Sequence, residues 1–365
     1  MVLRRISLRN FRNYAALDLS LSESCNFFVG DNAQGKSNLL EAVHVLGLTR
    51  SFRAGHDREL LRLGSERYEL TGEFIDELSI RHLTSICYDT KQGKEASLDR
   101  KRMQSTSWVG KFPIVHFSPE CHKITSGPPA ERRRFVDVLL CQSSPAYLAN
   151  LVEYTRVLRQ RNALLAQPEG TSGNDFVVWS QALAHYGSRV MMARRTFVKE
   201  YEHTLLQSYQ HISGSPLPFH FAYRTQFQSE EITTEGFLHL LQSARVHEER
   251  RKRTQVGPHY DDFVFEIDGK DLRKFGSRGE QKSALVALKL AETWYLKTHT
   301  GTAPIILLDD LASELDGKRL RSTLDYFHGS GQLLITSTSD ISKGFLQPFE
   351  SYRVLAGTLA PMMRN

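Results

Sequence analysis

The run Phe27-Phe28-Val29-Gly30-Asp31-Asn32-Ala33-Gln34-Gly35-Lys36-Ser37-Asn38-Leu39-Leu40-Glu41-Ala42 constrains this chain more than any other stretch. It is Gly-x4-Gly-Lys-Ser between a short apolar segment and a helical one, the context in which a glycine-rich loop wraps a phosphate. Glycine at 30 and 35 permits backbone angles that a Cβ resists, so successive N–H groups can converge on an anion. A helix starting near Lys36 adds unpaired N–H groups and the positive end of its dipole. The candidate phosphate-binding residues are therefore Gly30, Asp31, Asn32, Ala33, Gln34, Gly35, Lys36, Ser37 and Asn38. Among them Lys36 reaches the β- and γ-phosphates, and Ser37 offers its hydroxyl to Mg²⁺.

Such a loop needs an acidic partner for the metal. Ile305-Ile306-Leu307-Leu308-Asp309-Asp310 supplies one: four apolar residues predict a buried strand that ends in two acids. Asp309 is the metal candidate, and Asp310 is placed to polarise an attacking water. A core strand followed by an acidic helix cap is the plain alternative. It weakens once a phosphate loop shares the chain. A third piece, Ser277-Arg278-Gly279-Glu280-Gln281, opens a helix 32 residues before Asp309. Its hydroxyl, glycine N–H and helix start suit a γ-phosphate, with Ser277, Gly279 and Gln281 as candidates. Alone it equally reads as ordinary capping.

The remaining pattern is α/β, interrupted by helices. Residues 2–8 and 15–21 predict a hairpin, 26–29 the strand into the loop, and 66–117 several short strands. From Pro129 to about Ser213 the chain is mostly helical, with breaks at Pro145 and at 168–173. A strand at 218–227 and a helix at 235–252 follow, then strands and helices alternate to the end. This predicts an α/β lobe in two parts, 1–118 and 254–365, around a mainly helical lobe at 119–253 without a sustained heptad repeat. The 365 residues are 40% hydrophobic and 24% charged, an ordinary globular balance. A net charge of +6 is compatible with nucleic acid without demonstrating it. Cys25, Cys87, Cys121 and Cys141 form no Cys-x-x-Cys pair, which points away from zinc or a disulfide framework and toward a reducing cytoplasm. Residues 1–6 lack the apolar core of a signal peptide, and no run of 18 apolar residues predicts a membrane span.

Taken in order, Gly-x4-Gly-Lys-Ser, Ser-x-Gly-Glu-Gln, the apolar run before Asp309-Asp310 and Ser313-Glu314-Leu315-Asp316 resemble the ABC-type ATPases. The chain resembles in particular the RecF family of bacterial recombination ATPases, relatives of the SMC-type heads. Leu8-Arg9-Asn10-Phe11-Arg12-Asn13-Tyr14, Gly127 to Asp137, Gln160 to Leu165 and Gly257-Pro258-His259-Tyr260-Asp261-Asp262 carry that likeness over essentially the full length. The resemblance implies an ATP-dependent homodimer with two ATPs at its seam. Ser277 and Gly279 of one subunit would cap the γ-phosphate held by the other, with residues 313–316 along the seam. It implies binding to single-stranded and gapped or junction DNA, and work with RecR and RecO to load RecA in recombinational repair, the SOS response and replication recovery. Asp310 stands where many ABC proteins have Glu, 333–338 carries no switch histidine, and Ser118 or Glu120 stands where a sensing glutamine is usual. These departures imply slow, DNA-regulated hydrolysis. The long insertion and basic loops argue against a transporter subunit, and the insertion is too short for the arm of an SMC protein.

The DNA-contact candidates are Arg132, Arg133 and Arg134, then Arg50 and Arg53 with Arg58 nearby. Arg250 to Arg253 form a further basic run that Glu248 and Glu249 dilute. Arg12 has a possible nucleotide role by resemblance. His259, Asp261 and Asp262 read as a structural turn rather than a metal site, because their spacing is poor for ligation.

Overall fold

A computed structural model describes residues 1–167, 173–227, 231–311, 315, 317–341 and 348–362. In chain order the elements begin with β1 (Val2–Phe11), β2 (Tyr14–Ser20), β3 (Cys25–Val29), α1 (Lys36–Leu48), β4 (Arg67–Ile75), β5 (Arg81–Asp89), β6 (Gly93–Leu98) and β7 (Lys101–Arg102). Next come α2 (Ser105–Trp108), β8 (Ile114–Phe117), α3 (Lys123–Ser126), α4 (Pro129–Ser143), α5 (Pro145–Leu165), α6 (Asn174–Ser213), β9 (Phe219–Arg224) and α7 (Thr234–Arg251). The last part holds β10 (Asp262–Ile267), β11 (Lys270–Asp271), α8 (Leu272–Phe275), α9 (Arg278–Thr300), β12 (Ile305–Leu308), α10 (Gly317–Phe327), β13 (Leu333–Ser337), β14 (Phe349–Leu355) and β15 (Thr358–Pro361).

The described residues divide into two compact units. One comprises 1–122, 211–214 and 282–365, the other 123–210 and 215–281. The boundaries anticipated at 118/119 and 253/254 differ from these mainly on the C-terminal side. There, β10 pairs along its length with β9, so strand pairing draws residues 262–281 into the helical unit.

In the first unit α1 packs between two sheets. One is antiparallel, in the order β2-β1-β4-β5-β6-β7. The other runs β15-β14-β3-β13-β12-β8, with β15 alone antiparallel to its neighbour. Burial on both faces explains why β3, β12 and β13 are continuous apolar runs and why α1 is buried nearly all round. The core joins Leu3, Ile6 and Leu8 of β1 with Leu40, Val43 and Leu46 of α1 and Ile305 and Leu307 of β12. Alternation fails in β1 at Arg4 and Arg5, and the register with β4 shifts there, as at a bulge.

The second unit sets helices α4 to α7 with a three-stranded sheet, β11-β10-β9. Phe221 and Phe265 face each other across β9 and β10 with ring centroids 5.0 Å apart. Ser144 caps α5 by accepting the Tyr147 N–H at 3.1 Å, which is how the chain turns at Pro145. Among the described residues three arginines lie inside, Arg132, Arg161 and Arg194. Arg161, 1% exposed, donates to Glu248 at 2.7 Å, to Thr254 at 2.8 Å and to Ser180 at 3.0 Å. Arg194 donates to Asp137, Tyr147 and the Pro258 carbonyl.

Removing one partner of a buried pair leaves an uncompensated charge. Glu248→Ala should therefore cost about 3–5 kcal/mol in urea unfolding. Glu249→Ala, which breaks the exposed pair with Arg245, should cost less than about 1 kcal/mol. Equal costs for the two would contradict the burial argument.

Candidate functional site

The loop from Gly30 to Asn38 leaves β3 and enters α1, as its sequence requires. The two glycines serve different needs. Gly35 has φ +114°, a conformation that glycine tolerates. Gly30 is fixed by space, because a Cβ there would lie 2.4 Å from the Val354 carbonyl oxygen of β14. The other left-handed position in the loop belongs to Ala33, at φ 63°. Gln34 is held by the β14–β15 turn: its carbonyl accepts the Gly357 N–H at 2.9 Å and its side chain the Ala356 N–H at 2.7 Å. The Lys36 ammonium donates to the carbonyls of Gly30 and Asp31 at 2.7 and 2.8 Å. Burial lowers the Lys36 pKa, while Asp310, Asp309 and Asp31 pull it back up.

Asp309 and Ser37 come together across one intervening strand, β13. Asp309 Oδ1 accepts from Ser37 Oγ at 2.8 Å and from Thr336 Oγ1 at 2.6 Å. Thr336 Oγ1 in turn accepts the Asp310 N–H at 2.9 Å. Thr336 lies in the strand that lacks a switch histidine, and sequence reasoning passed over it. Burial raises the Asp309 pKa, and the hydrogen bonds from Thr336 and Ser37 oppose that rise. A hydroxyl beside a carboxylate is a hard oxygen donor set that fits Mg²⁺. Asp310 follows at φ 48°, a conformation Asp and Asn adopt more readily than most residues. Ser118 is buried, with its Oγ 3.7 Å from Cys121 Sγ, and Glu120 is exposed.

A cavity of about 880 Å³ opens beside this loop, lined in part by Arg12, Asn38, Arg53, Leu61 and Leu63. Arg12 and Arg53 are both anchored to Glu41 of α1. Arg53 is thus a residue of the cavity wall, a placement its position in a basic loop did not disclose.

Ser277 and Glu280 form a reciprocal cap. The Ser277 N–H and hydroxyl donate to Glu280 at 2.7 and 2.8 Å, and Ser277 Oγ accepts the Glu280 N–H at 3.2 Å. The Ser277 backbone and side-chain hydrogen bonds hold the Glu280 carboxyl below its ordinary value. Gln281 Nε2 donates to the carbonyls of Leu272 and Gly276 at 3.2 and 3.3 Å, and Gly279 lies in the first turn of α9. Ser313, Glu314 and Asp316 lie outside the described residues.

The arginines of α4 divide. Arg132 is withdrawn as a DNA contact: it is 3% exposed and grips both oxygens of Asp262 at 2.8 and 2.9 Å. Arg133 is half-buried and donates to the Asp261 carbonyl at 2.6 Å. Arg134, Arg50 and Arg58 are exposed. Glu248 is buried against Arg161, so it does not dilute the exposed run Arg250-Arg251-Lys252-Arg253.

Among the described residues no group of three or more His, Cys, Asp or Glu side chains could hold a metal. His259 Nδ1 lies 2.5 Å from the Tyr154 hydroxyl, and its Nε2 lies 3.5 Å from the Thr254 carbonyl. Burial drops its pKa to about 4 from the ordinary 6.5. The unfolded chain then takes up the proton first as pH falls, so stability is lost as pH drops from about 6.5 toward 4. The loss should total about 3 kcal/mol, and His259→Asn should flatten this part of the profile in urea titrations. Thr336→Val should raise the Mg²⁺ concentration for half-maximal ATP binding by about 10- to 100-fold, since it strips a supporting partner from Asp309. An unchanged requirement would acquit Thr336.

The phosphate loop, the acid pair and the inserted helices define an ABC-type ATPase head. Residues 2–347 match the family described as RecF/RecN/SMC N terminal domain. The chain is 37% identical to the DNA replication and repair protein RecF of Lacticaseibacillus casei strain BL23, covering 99% of this chain and 100% of the relative. It is 33% identical to the RecF of Prosthecochloris aestuarii, covering 97% and 98%. A solved structure of the recombination mediator protein RecF with ATP, from the RecFOR pathway, superimposes with a TM-score of 0.92 at 29% identity, over 99% of this chain and 98% of that one. An Smc head bound to the C-terminal winged-helix domain of ScpA shares the fold, with a TM-score of 0.58 at 14% identity. The chain belongs to the RecF family of DNA replication and repair proteins, which binds ATP through an SMC-like head. Among the described residues no helix is long and apolar enough to cross a membrane.

Proposed function

We propose that the protein is an ATP-dependent DNA clamp with slow, DNA-stimulated hydrolysis. The observation that carries this reading is the convergence of Lys36, Ser37 and Asp309 at one loop, with Thr336 tying the acid pair to β13. ATP lies along residues 30–38 in this reading, with its phosphates at Lys36 and its nucleoside toward the cavity lined by Asn38 and Leu63. Ser37 and Asp309 would hold Mg²⁺, which would supply positive charge against the phosphates. Asp310 polarises the water. Ser277 and Gly279 cap the γ-phosphate bound to the other subunit of a homodimer, and the Ser277 hydroxyl exchanges Glu280 for that phosphate. ADP lacks the phosphate that joins the subunits, so hydrolysis opens the clamp. Arg50, Arg53 and Arg134 are the exposed candidates for DNA phosphates, with Arg133 half-buried beside Arg134 in sequence. Single-stranded and gapped or junction DNA are the substrates, and RecR, RecO and RecA the partners in recombinational repair, the SOS response and replication recovery.

The test is sedimentation velocity with a labelled gapped duplex in ATP, in ADP and without nucleotide. The expected result is a dimer that co-sediments with DNA in ATP alone. Lys36→Ala should lose ATP binding and the dimer together. Asp310→Asn should trap the ATP dimer, since Asn tolerates the same backbone. Ser277→Arg should keep ATP binding and lose the dimer. A chain that stays monomeric and ignores DNA in every nucleotide state would overturn the clamp.

A further inference from the structure

Glu41 lies in the second turn of α1, where the helix packs between two sheets, and its side chain is 0% exposed. A carboxylate in that position is costly, and an apolar side chain would avoid the cost. Four hydrogen bonds offset it. Arg12 donates through Nε and Nη2, each at 2.8 Å; Arg53 Nη2 donates at 2.7 Å and Ser51 Oγ at 2.6 Å. Burial raises the Glu41 pKa, and the bonds from Arg12, Arg53 and Ser51 outweigh burial and hold it below the ordinary 4.5. The group is therefore ionised at neutral pH. Two guanidinium groups against one carboxylate leave a surplus positive charge, and both arginines line the 880 Å³ cavity.

The arrangement reaches the phosphate loop without a break. Arg53 Nη2 also donates to Asn38 Oδ1. Asn38 Nδ2 donates to Asn13 Oδ1 at 2.7 Å, and Asn13 Nδ2 to the Gln34 carbonyl at 3.0 Å. Arg12 is tied a third time, by Nη1 to the Glu59 carbonyl at 2.7 Å. Among the described residues Arg53 engages Glu41 and Asn38 through Nη2, and its Nε and Nη1 make no hydrogen bond there.

We propose that Glu41 is a positioning residue for nucleotide binding, a buried carboxylate that sets Arg12 and Arg53 as a cationic pair on the cavity wall beside the phosphate loop. The proposal rests on the assignment of residues 30–38 to the nucleotide. It also gives Arg53, an exposed residue on the wall of an open cavity, an anionic ligand beside the phosphate loop. A neutral side chain at 41 weakens the hold on the pair, leaving Arg12 to the Glu59 carbonyl and Arg53 to Asn38.

The experiment is titration of the full-length protein with ATP by calorimetry, with steady-state hydrolysis alongside. Glu41→Gln should weaken ATP binding by about 10- to 100-fold, the effect of losing charge-assisted hydrogen bonds. The loss should appear in KM, with kcat held within about threefold. In an Arg12→Ala/Arg53→Ala background the same substitution should change ATP affinity less than about twofold, because its effect runs through those arginines. A merely structural role would lower affinity by the same factor in both backgrounds. That result, or wild-type affinity in a folded Glu41→Gln protein, overturns the proposal. If Glu41→Gln does not fold, Glu41→Asp, which keeps the charge but is one carbon shorter, is compared in the same two backgrounds by the same criterion. Lys36→Ala separates the two levels. Wild-type ATP affinity in that variant removes the phosphate-loop assignment itself, whereas its loss beside an indifferent Glu41→Gln removes only the positioning role.

Discussion

Asp309 is the point on which the unit that carries the Gly30–Asn38 loop turns. Its Oδ1 accepts from the helix that follows the phosphate loop, through Ser37, and from the intervening strand, through Thr336. Thr336 also receives the Asp310 N–H, so one hydroxyl sets both acids. The parallel register explains why this is possible. Leu308 pairs with Ile335 and Val29 with Ser337, so β12, β13 and β3 end on the same side of the sheet. Chemistry gathers there because strand ends are where a buried sheet can present polar groups to a ligand.

The same economy governs charges elsewhere. Glu41, Arg161 and Arg194 are almost wholly removed from water, and each is met by several partners rather than one. Multiple partners are what make burial of a charge tolerable. Their locations differ in consequence. Arg161 and Arg194 stitch α5, α6 and the segment before β10 into one frame. Glu41 instead anchors residues that face open space next to the phosphate loop, which is why its cost invites a functional reading and theirs a structural one.

Much of the architecture was legible in the sequence because its signals are local. Apolar runs such as Ile305–Leu308 can be buried only as inner strands, and Gly-x4-Gly-Lys-Ser needs its strand and helix on either side. The breaks at Pro145 and after Ser213 follow from backbone chemistry. What stayed hidden depends on contacts between distant residues. The final hairpin strand, Thr358–Pro361, is short and exposed, with no strong pattern. The C-terminal unit boundary follows from the pairing of β9 with β10 across the helix between them. Thr336 reads as one more β-branched strand residue until its hydroxyl is seen against Asp309.

Charge was the least legible property, for a physical reason. A run of arginines states how much charge a segment carries, not where each side chain goes. Arg132-Arg133-Arg134 spans less than one helical turn, and successive residues on a helix point about 100° apart, so the three cannot share a face. One is buried on Asp262, one is drawn to the Asp261 carbonyl and one reaches solvent. The reverse holds at the end of α7. Glu248 looks like a neutralising neighbour of Arg250 to Arg253, yet it turns inward to Arg161 and leaves those four cations exposed at a helix C-terminus. The helix dipole favours cations there, so their presence has a structural explanation that the Arg132–Arg134 run, at a helix start, does not share. Cations at a helix start work against the dipole, and for Arg132 the bidentate pair with Asp262 is what offsets it. The surface charge that remains for a polyanion is therefore set by which carboxylates turn inward as much as by which arginines face out.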